Sequence, residues 1–227
     1  MEAIVLAGGK GTRLQSVVSD VPKPMAPIDN KPFLEYILSY LKKNGVNRVI
    51  LSVGYKGDII KSYFNGSFEG MELVYSNEEE PLGTGGAIKK ALSQAKTNKL
   101  YIINGDTFFN VNLEELILKG NSKISLALKT MHNFDRYGCV ESDAKGTITS
   151  FMEKEFRETG NINGGIYLVK KDLFDKYTVN EKFSFEEFMQ QEYQSLEITS
   201  KVFDEYFIDI GIPEDYAKAQ KEIKHYI

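Results

Sequence analysis

The chain has 227 residues, a formal net charge of −4 at pH 7, one cysteine and two histidines. The length predicts one α/β domain, the negative charge argues against nucleic acid as the main partner, and Cys139 alone excludes an internal disulfide or a cysteine zinc site. Because the sequence has neither a long apolar stretch nor a secretory start, we expect a cytoplasmic protein with no membrane partner.

Short apolar runs alternate with helical patterns along the first half, which favours a Rossmann-like, mostly parallel sheet flanked by helices. There we predict strands at 3–6, 48–53, 71–76 and 99–104, and helices at 32–44, 58–64 and 85–95. In the second half we predict strands at 124–129, 166–169 and 202–209, a hairpin of 138–141 with 147–153, and helices at 185–193 and 213–227.

A glycine-rich loop follows the first predicted strand, in the segment Ala3-Ile4-Val5-Leu6-Ala7-Gly8-Gly9-Lys10-Gly11-Thr12-Arg13-Leu14. Glycines let backbone N–H groups come close to an anion, and Arg13 adds a forked cation suited to phosphate. The segment lacks the G-x-x-x-x-G-K-[ST] pattern of a P-loop, and Leu14 stands where a dinucleotide fingerprint needs its third glycine. We therefore predict a site for a polyphosphate that is neither a P-loop nor an NAD site.

Two aspartates, Asp106 and Asp209, each follow an apolar predicted strand and each precede a turn. One such aspartate is ordinarily a turn former or a helix cap. Since ligands gather at the carboxyl ends of strands in an open α/β sheet, the pair is better explained as ligands for Mg²⁺, which favours one or two carboxylates plus phosphate oxygens.

The segment L-A-G-G-K-G-T-R-L, followed by Pro22-Lys23-Pro24, resembles the signature of the sugar-phosphate nucleotidyltransferases. The resemblance implies the nucleotide-diphospho-sugar transferase fold with a small sugar-binding lobe. It implies that Arg13 holds the β- and γ-phosphates of a nucleoside triphosphate, that Lys23 reaches the α-phosphate, and that Asp106 and Asp209 bind Mg²⁺. We expect Arg13, Lys23 and Asp106 to be catalytic, and the same resemblance assigns the loop residues Leu6, Ala7, Gly8, Gly9, Gly11 and Thr12 to nucleotide binding.

The run Glu78-Glu79-Glu80-Pro81-Leu82-Gly83-Thr84-Gly85-Gly86 resembles the P-L-G-T-x-G segment that lies beside the base in this family. The resemblance assigns Gly83, Thr84 and Gly85 to nucleotide binding. Guanine presents two adjacent N–H donors that one carboxylate can accept, whereas uracil and thymine present carbonyls that a carboxylate would repel. We therefore predict that Glu80 reads guanine.

Three segments of the second half resemble the sugar-binding segments of the family. In Phe151-Met152-Glu153-Lys154 the resemblance implies that Lys154 grips the sugar phosphate and Glu153 a sugar hydroxyl, although Glu155 replaces the usual proline. It also implies a backbone donor at Gly138, a hydrogen bond from Asn163 to a sugar hydroxyl, and room for the sugar ring at Gly164. We accordingly divide the single domain 1–227 into a nucleotide-binding half, about 1–110, and a sugar-phosphate-binding half, about 111–227.

Across nearly its whole length the chain resembles the D-glycero-D-manno-heptose 1-phosphate guanylyltransferases, for example in Ser16 to Pro27. The implied partners are GTP and a heptose 1-phosphate, and the implied products are GDP-heptose, for capsule or lipopolysaccharide, and pyrophosphate. Alternatives are a GDP-mannose, UDP-glucose or UDP-N-acetylmuramate enzyme, a molybdenum-cofactor or isoprenoid nucleotidyltransferase, or a non-catalytic regulatory subunit. Whether the chain forms a homodimer stays open.

Overall fold

The structure is a computed structural model that describes residues 1–9, 11–14 and 16–227, and for Thr12 the backbone only. The strands, in chain order, are β1 (Glu2–Leu6), β2 (Pro27–Ile28), β3 (Lys31–Pro32), β4 (Arg48–Val53), β5 (Ser67–Phe68), β6 (Met71–Asn77), β7 (Lys99–Asn104), β8 (Thr107–Phe109), β9 (Ile124–Phe134), β10 (Gly138–Ser142), β11 (Ile148–Lys154), β12 (Arg157–Lys170), β13 (Thr199–Phe203) and β14 (Phe207–Asp209). The helices are α1 (Phe33–Lys43), α2 (Gly57–Phe64), α3 (Gly83–Leu92), α4 (Phe185–Leu196) and α5 (Pro213–Glu222). Short 3₁₀ turns cover Thr12–Leu14, Lys23–Met25, Leu113–Glu115 and Ile223–His225.

Strand β1 lies at the centre of a mixed sheet whose order is β5-β6-β4-β1-β7-β12-β9-β13. The pairs β1–β4, β1–β7 and β4–β6 are parallel, and β12 joins β7 in the antiparallel direction. Ala3 and Val5 pack into one hydrophobic cluster and Ile4 into the other, so β1 is buried on both faces. This explains why its sequence is a continuous apolar run rather than an alternating one.

Helices α1 and α5 pack on one face of the sheet and α3 and α4 on the other. Helix α1 buries Phe33, Leu34, Ile37, Leu38 and Leu41, the apolar face that its sequence predicts. The predicted elements of the first half are confirmed to within a few residues, and so is the α/β fold class.

The second half differs from the prediction because β9 and β12 extend past the main sheet and join β10 and β11, in a part of the fold that we call the lobe (residues 129–163). Strand β12 pairs with β9 from Arg157 to Asn163, shifts register before Tyr167, and then enters the main sheet beside β7. The predicted hairpin forms as β10 and β11, and it joins β12 through the pair Cys139 and Ile162. The sequence predicted only the buried parts of β9 and β12, because the polar lobe parts carry no apolar run.

The predicted strand 202–209 is two strands. Strand β13 pairs with β9, whereas β14 leaves that sheet and pairs with β8 in the register Asp209 to Thr107. The predicted final helix ends at Glu222, followed by the short 3₁₀ turn. Helix α3 starts at Gly83, two residues before its predicted start. Within the described part of the chain, none of the helices has the length and apolar character that crossing a membrane requires.

Candidate active site

A cavity of about 600 Å³ opens where the parallel strands β1, β4, β6 and β7 end. Open α/β sheets bind their ligands at this edge. It is lined by Leu6, Gly8, Gly9, Gly11, Lys23, Pro24, Gly54, Tyr55, Glu78, Glu79, Pro81, Gly83, Thr84, Ala87, Asn104, Gly105 and Asp106. The cavity therefore joins most of the predicted nucleotide-binding residues, which are far apart in the sequence.

Two glycines of the loop after β1 are required by close neighbours. A Cβ at Gly8 would lie 2.4 Å from Oε1 of Glu78. Gly11 has φ +58°, and a Cβ there would lie 2.8 Å from the Cβ of Lys23. The glycines thus let the loop lie against a carboxylate on one side and the stem of a lysine on the other.

Other residues of the same loop take different places. Ala7 is buried and donates its backbone N–H to the carbonyl of Ser52, and this hydrogen bond ties the start of the loop to β4. Arg13 is exposed in the short turn Thr12–Leu14 and is not among the residues that line the cavity. The predicted role of the Thr12 side chain falls outside the part of the chain that the structure describes.

Lys23, Asp106 and Asp209 come together at one end of the cavity. The Lys23 ammonium lies 2.7 Å from Oδ2 of Asp106 and 3.6 Å from Oδ1 of Asp209. The pairing of β8 with β14 brings the aspartates together, because Asp209 is in register with Thr107, the neighbour of Asp106. Burial, together with the charge of Asp106, raises the pKa of Asp209, and Lys23 offsets part of that rise.

This arrangement fits a divalent cation bound with phosphate oxygens. Two carboxylates that already share one cationic group supply the small number of protein ligands that Mg²⁺ takes in such sites. Among the described residues, no three His, Cys, Asp or Glu side chains gather into a fuller metal-binding group. Substrate phosphates would therefore have to complete the coordination.

Tyr137 contacts Asp209 directly and Arg136 contacts Tyr137, and the sequence predicted a role for neither residue. The Tyr137 hydroxyl donates to Oδ2 of Asp209 at 3.3 Å. The Arg136 guanidinium contacts the Tyr137 ring, donates to its hydroxyl at 3.1 Å, and pairs with Asp215 in the first turn of α5. The segment Tyr137-Gly138-Cys139-Val140 resembles a sugar-binding segment of the family, and this resemblance predicted a role for Gly138 but none for Tyr137.

The three glutamates before α3 occupy unlike positions. Glu78 is half-buried, and its carboxylate accepts from the Ser52 hydroxyl at 3.2 Å and from the Leu82 N–H at 3.1 Å. Glu79 is exposed and also lines the cavity. Glu80, the predicted reader of the base, is exposed and does not belong to the lining. Glu79 lines the cavity and its neighbour Glu80 does not, because the chain between β6 and α3 is irregular. No periodic pattern in the sequence predicts this difference.

The glycine-rich start of α3 packs against the segment 181–186 of the second half. A Cβ at Gly85 would lie 2.2 Å from the Phe183 ring, so Gly85 packs against Phe183, and it is not among the residues that line the cavity. Gly83 and Thr84 line the cavity, and the Thr84 hydroxyl donates to Glu186. The close contact with segment 181–186 therefore explains why glycines occupy the start of α3.

The predicted sugar-binding residues lie on the lobe. Lys154 is in register with Gly138, the neighbour of Tyr137, and both Glu153 and Lys154 are exposed. A Cβ at Gly138 would lie 2.4 Å from the Met152 carbonyl oxygen, so this glycine permits a close strand contact.

The other two predicted sugar contacts are directed inward. The Asn163 amide donates to the buried Tyr167 hydroxyl at 2.8 Å and accepts from the Gly165 N–H at 2.9 Å. A Cβ at Gly164 would lie 2.6 Å from the Phe109 ring, so a phenylalanine fills the room expected there for a sugar. Asn163 thus orders the register shift of β12 in this structure, and Gly164 permits its packing.

The sequence profile of the family described as "Nucleotidyl transferase" matches residues 2–225. The chain belongs to this family. It is 56% identical over 216 residues to a D-glycero-alpha-D-manno-heptose 1-phosphate guanylyltransferase of Campylobacter jejuni, covering 95% of this chain and 97% of that protein. It is 51% identical over 231 residues to the enzyme of the same name from Aneurinibacillus thermoaerophilus, covering 100% of both.

A solved structure of HddC from Yersinia pseudotuberculosis, complexed with GMP-PN, is similar to this chain with a TM-score of 0.84. The two sequences are 38% identical, and the match covers 97% of this chain and 98% of the other. The chain thus has the nucleotide-diphospho-sugar transferase fold that the resemblance of its glycine-rich loop and of Pro22-Lys23-Pro24 implied.

Proposed function

We propose that this chain is a GTP:D-glycero-α-D-manno-heptose 1-phosphate guanylyltransferase. The observation that carries the proposal is the convergence of Lys23, Asp106 and Asp209 at one end of a glycine-lined cavity. A non-catalytic binding subunit would have no need for this convergence. The full-length similarity to two enzymes named for this activity supports the choice of sugar and base.

In the proposed reaction, an oxygen of the heptose 1-phosphate attacks the α-phosphorus of GTP and the bond to the bridging oxygen of the β-phosphate breaks. The products are GDP-heptose and pyrophosphate. The reaction brings together two anions, so positioning and charge neutralisation supply most of the catalysis. We assign Lys23, beside the aspartates, to the α-phosphate, and Arg13, in the exposed turn, to the outgoing β- and γ-phosphates.

Asp106 and Asp209 would hold Mg²⁺ in the reacting complex. The ion, when bound, supplies charge neutralisation on the phosphate oxygens. Tyr137 orients Asp209 through its hydroxyl, and Arg136 holds the tyrosine. GTP is a metabolite of the cytoplasm, where we expect the enzyme to act.

We propose Glu78, in place of Glu80, as the residue that reads guanine. Its carboxylate lies in the wall of the cavity against Gly8, whereas Glu80 is outside the wall. A carboxylate has about four acceptor positions, and the two hydrogen bonds to Ser52 and Leu82 leave others for the N1–H and N2–H of guanine. Those two protein contacts also hold the carboxylate still.

For the sugar phosphate we propose Lys154 and Glu153, together with the backbone of Gly138. They lie on the exposed end of the β10–β11 hairpin, and Tyr137 connects that end to Asp209. Asn163 and Gly164 contribute indirectly, by shaping β12.

The test is a pyrophosphate-release assay of the purified chain with Mg²⁺. Each of GTP, UTP, CTP and dTTP is combined with heptose, mannose, glucose and N-acetylglucosamine 1-phosphates. We expect the highest kcat/KM for GTP with heptose 1-phosphate. A higher value for GTP with mannose 1-phosphate, or for UTP with any sugar, would overturn the assignment of the sugar or of the base.

A further inference from the structure

The wall of the nucleotide cavity at the start of α3 is held by a segment from the other half of the chain. Two backbone hydrogen bonds tie them together: Gly85 donates to the Phe183 carbonyl at 3.0 Å, and Phe183 donates to the Leu82 carbonyl at 3.1 Å. Cβ atoms at Gly83 and Gly86 would lie 2.5 Å from the Phe183 oxygen and 2.3 Å from the Glu181 oxygen. The glycines therefore permit this contact.

One side chain, Glu186, connects the two segments. Its Oε2 accepts from the Thr84 hydroxyl at 2.6 Å and from the Ser184 hydroxyl at 3.0 Å. The Thr84 oxygen in turn accepts from the Phe185 N–H at 2.8 Å. The two bonds engage the Thr84 hydroxyl both as donor and as acceptor.

The charge of Glu186 suits this place because two helices begin there. Thr84 is in the first turn of α3, and Glu186 is in the first turn of α4. Helix N-termini carry partial positive charge, so two that meet repel each other, and a carboxylate between them is stabilising. The charge of Glu186, an exposed residue, is therefore placed to offset the repulsion between the starts of α3 and α4.

Thr84 lines the cavity, and Gly83 and Ala87 on the same helix line it too. We propose that Glu186 is a positioning residue for the nucleotide: by holding Thr84 it keeps the start of α3 in the position that completes the cavity wall. The proposal rests on the proposed function, in which this cavity takes GTP. Glu186 does not itself belong to the lining, so its effect passes through Thr84.

The test compares Glu186→Ala with Glu187→Ala, a matched control in the same helical turn. Calorimetry measures the Kd for GTP, kinetics the KM for the sugar phosphate, and thermal melting the Tm. We expect Glu186→Ala to raise the Kd for GTP by about tenfold, equivalent to about 1.4 kcal/mol, with the KM for sugar phosphate within about twofold of wild type. Glu187→Ala should leave both constants unchanged.

A double-mutant cycle separates positioning from general loosening of the fold. In a Thr84→Val background, Glu186→Ala should add little further loss, because the contact is already gone. Glu186→Gln keeps an acceptor of the same shape, so it should raise the Kd for GTP by about threefold, between wild type and Glu186→Ala. If Glu186→Ala does not fold, the Kd of Glu186→Gln tests the positioning role in its place. Additive effects, an equal loss for both substrates, or a wild-type Kd in Glu186→Gln would overturn the proposal.

The test also keeps this proposal distinct from that of the reaction. If wild type binds UTP, CTP or dTTP more tightly than GTP, the assignment of guanine fails. The same variants are then titrated with the triphosphate that wild type prefers, and their Kd values support or overturn the role of Glu186 independently.

Discussion

The ammonium of Lys23 lies 2.7 Å from a carboxylate oxygen of Asp106, although 83 positions separate the two residues in the sequence. The Lys23 side chain is 12% exposed, so this ion pair is screened less by solvent than a surface pair. A divalent cation held by Asp106 and Asp209 would compete with the ammonium for the same oxygens. We therefore expect Lys23 to bind a phosphate when a divalent cation has replaced its ammonium group at the aspartates.

Replacing Lys23 by methionine should separate metal binding from turnover. We expect Lys23→Met to bind Mn²⁺ at least as tightly as wild type, measured by electron paramagnetic resonance, because the competing cation is gone. Turnover should fall by about 100-fold or more, as when one preorganised charge-stabilising group is removed from an active site. The exposed Lys31→Met serves as the control. Weaker Mn²⁺ binding in Lys23→Met would contradict the competition.

Asp209→Asn should abolish turnover yet raise stability at neutral pH. Burial and the nearby Asp106 charge raise the pKa of Asp209, so its ionisation opposes folding. That penalty is absent below the pKa of an unfolded aspartate, about 4, and develops as the pH rises through the raised folded-state pKa. In Mg²⁺-free buffer, the Tm of the variant should exceed that of wild type near pH 7, and the difference should shrink on acidification. A Tm of Asp209→Asn below that of wild type at pH 7 would contradict the conclusion that the ionised Asp209 carboxylate destabilises the fold.

Lys154→Met should weaken the binding of the sugar phosphate more than that of GTP, because Lys154 lies on the lobe and is not among the residues that line the cavity. Calorimetry with each substrate measures the difference. Lys145→Met, at the opposite, exposed end of the same hairpin, is the matched control and should change neither affinity. If the affinity for GTP falls and that for the sugar phosphate holds, Lys154 belongs to the other substrate.

The predictable part of the structure is the part whose local sequence matches its surroundings. Strands such as Arg48–Val53 are buried on both faces, and Phe33–Lys43 has one apolar face, so apolar runs and helical periodicity identify them. The lobe part of β12 was not predicted because its register depends on pairing with β9 and β10, which single-sequence patterns do not contain.

The site divides in the same way. The resemblance of Pro22-Lys23-Pro24 to a family signature predicted a role for Lys23, and the positions of Asp106 and Asp209 after apolar strands predicted theirs. The positions of Glu78 and Glu80 depend on the path of an irregular segment, and the covering of Gly85 by Phe183 depends on a contact across the two halves. Neither relationship has a local signal.

A buried ion pair joins the amino end of β1 to that of β4, and Glu2→Gln should destabilise the fold. Burial opposes ionisation of Glu2, but hydrogen bonds from Thr97, Arg48 and Lys96 outweigh it and lower the pKa of Glu2. We expect a loss of about 2–4 kcal/mol in the free energy of unfolding at pH 7, since Arg48 would lose its buried partner.

The exposed partner of the same arginine provides the control. Glu72 lies 3.2 Å from Arg48, with its side chain 51% exposed, so Glu72→Gln should cost about 0–1 kcal/mol. The stabilisation from Glu2 is present above the pKa of an unfolded glutamate and is lost as the pH falls through the lowered folded-state pKa. Urea denaturation at several pH values measures both effects, and equal losses for the two variants would contradict this account.

The base preference should depend on Glu78 and not on Glu80. In Glu78→Gln the amide oxygen can accept one guanine N–H, but the NH₂ group opposes the second. We expect the KM for GTP to rise by about 10- to 100-fold, corresponding to about 1.5–3 kcal/mol for a hydrogen bond to a charged group. Kinetics with GTP, UTP and dTTP measure the change, and the preference for GTP should narrow because the site then leaves a guanine donor unpaired.

Glu80→Gln, two residues away and exposed, is the matched control, and its KM for GTP should stay within about twofold of wild type. Because Glu78 also holds Ser52 and Leu82, the Tm of both variants is compared, and a normal Tm with a raised KM identifies a ligand contact. A narrowed preference in Glu80→Gln, with Glu78→Gln unchanged, would return the reading of the base to the position that the sequence first indicated.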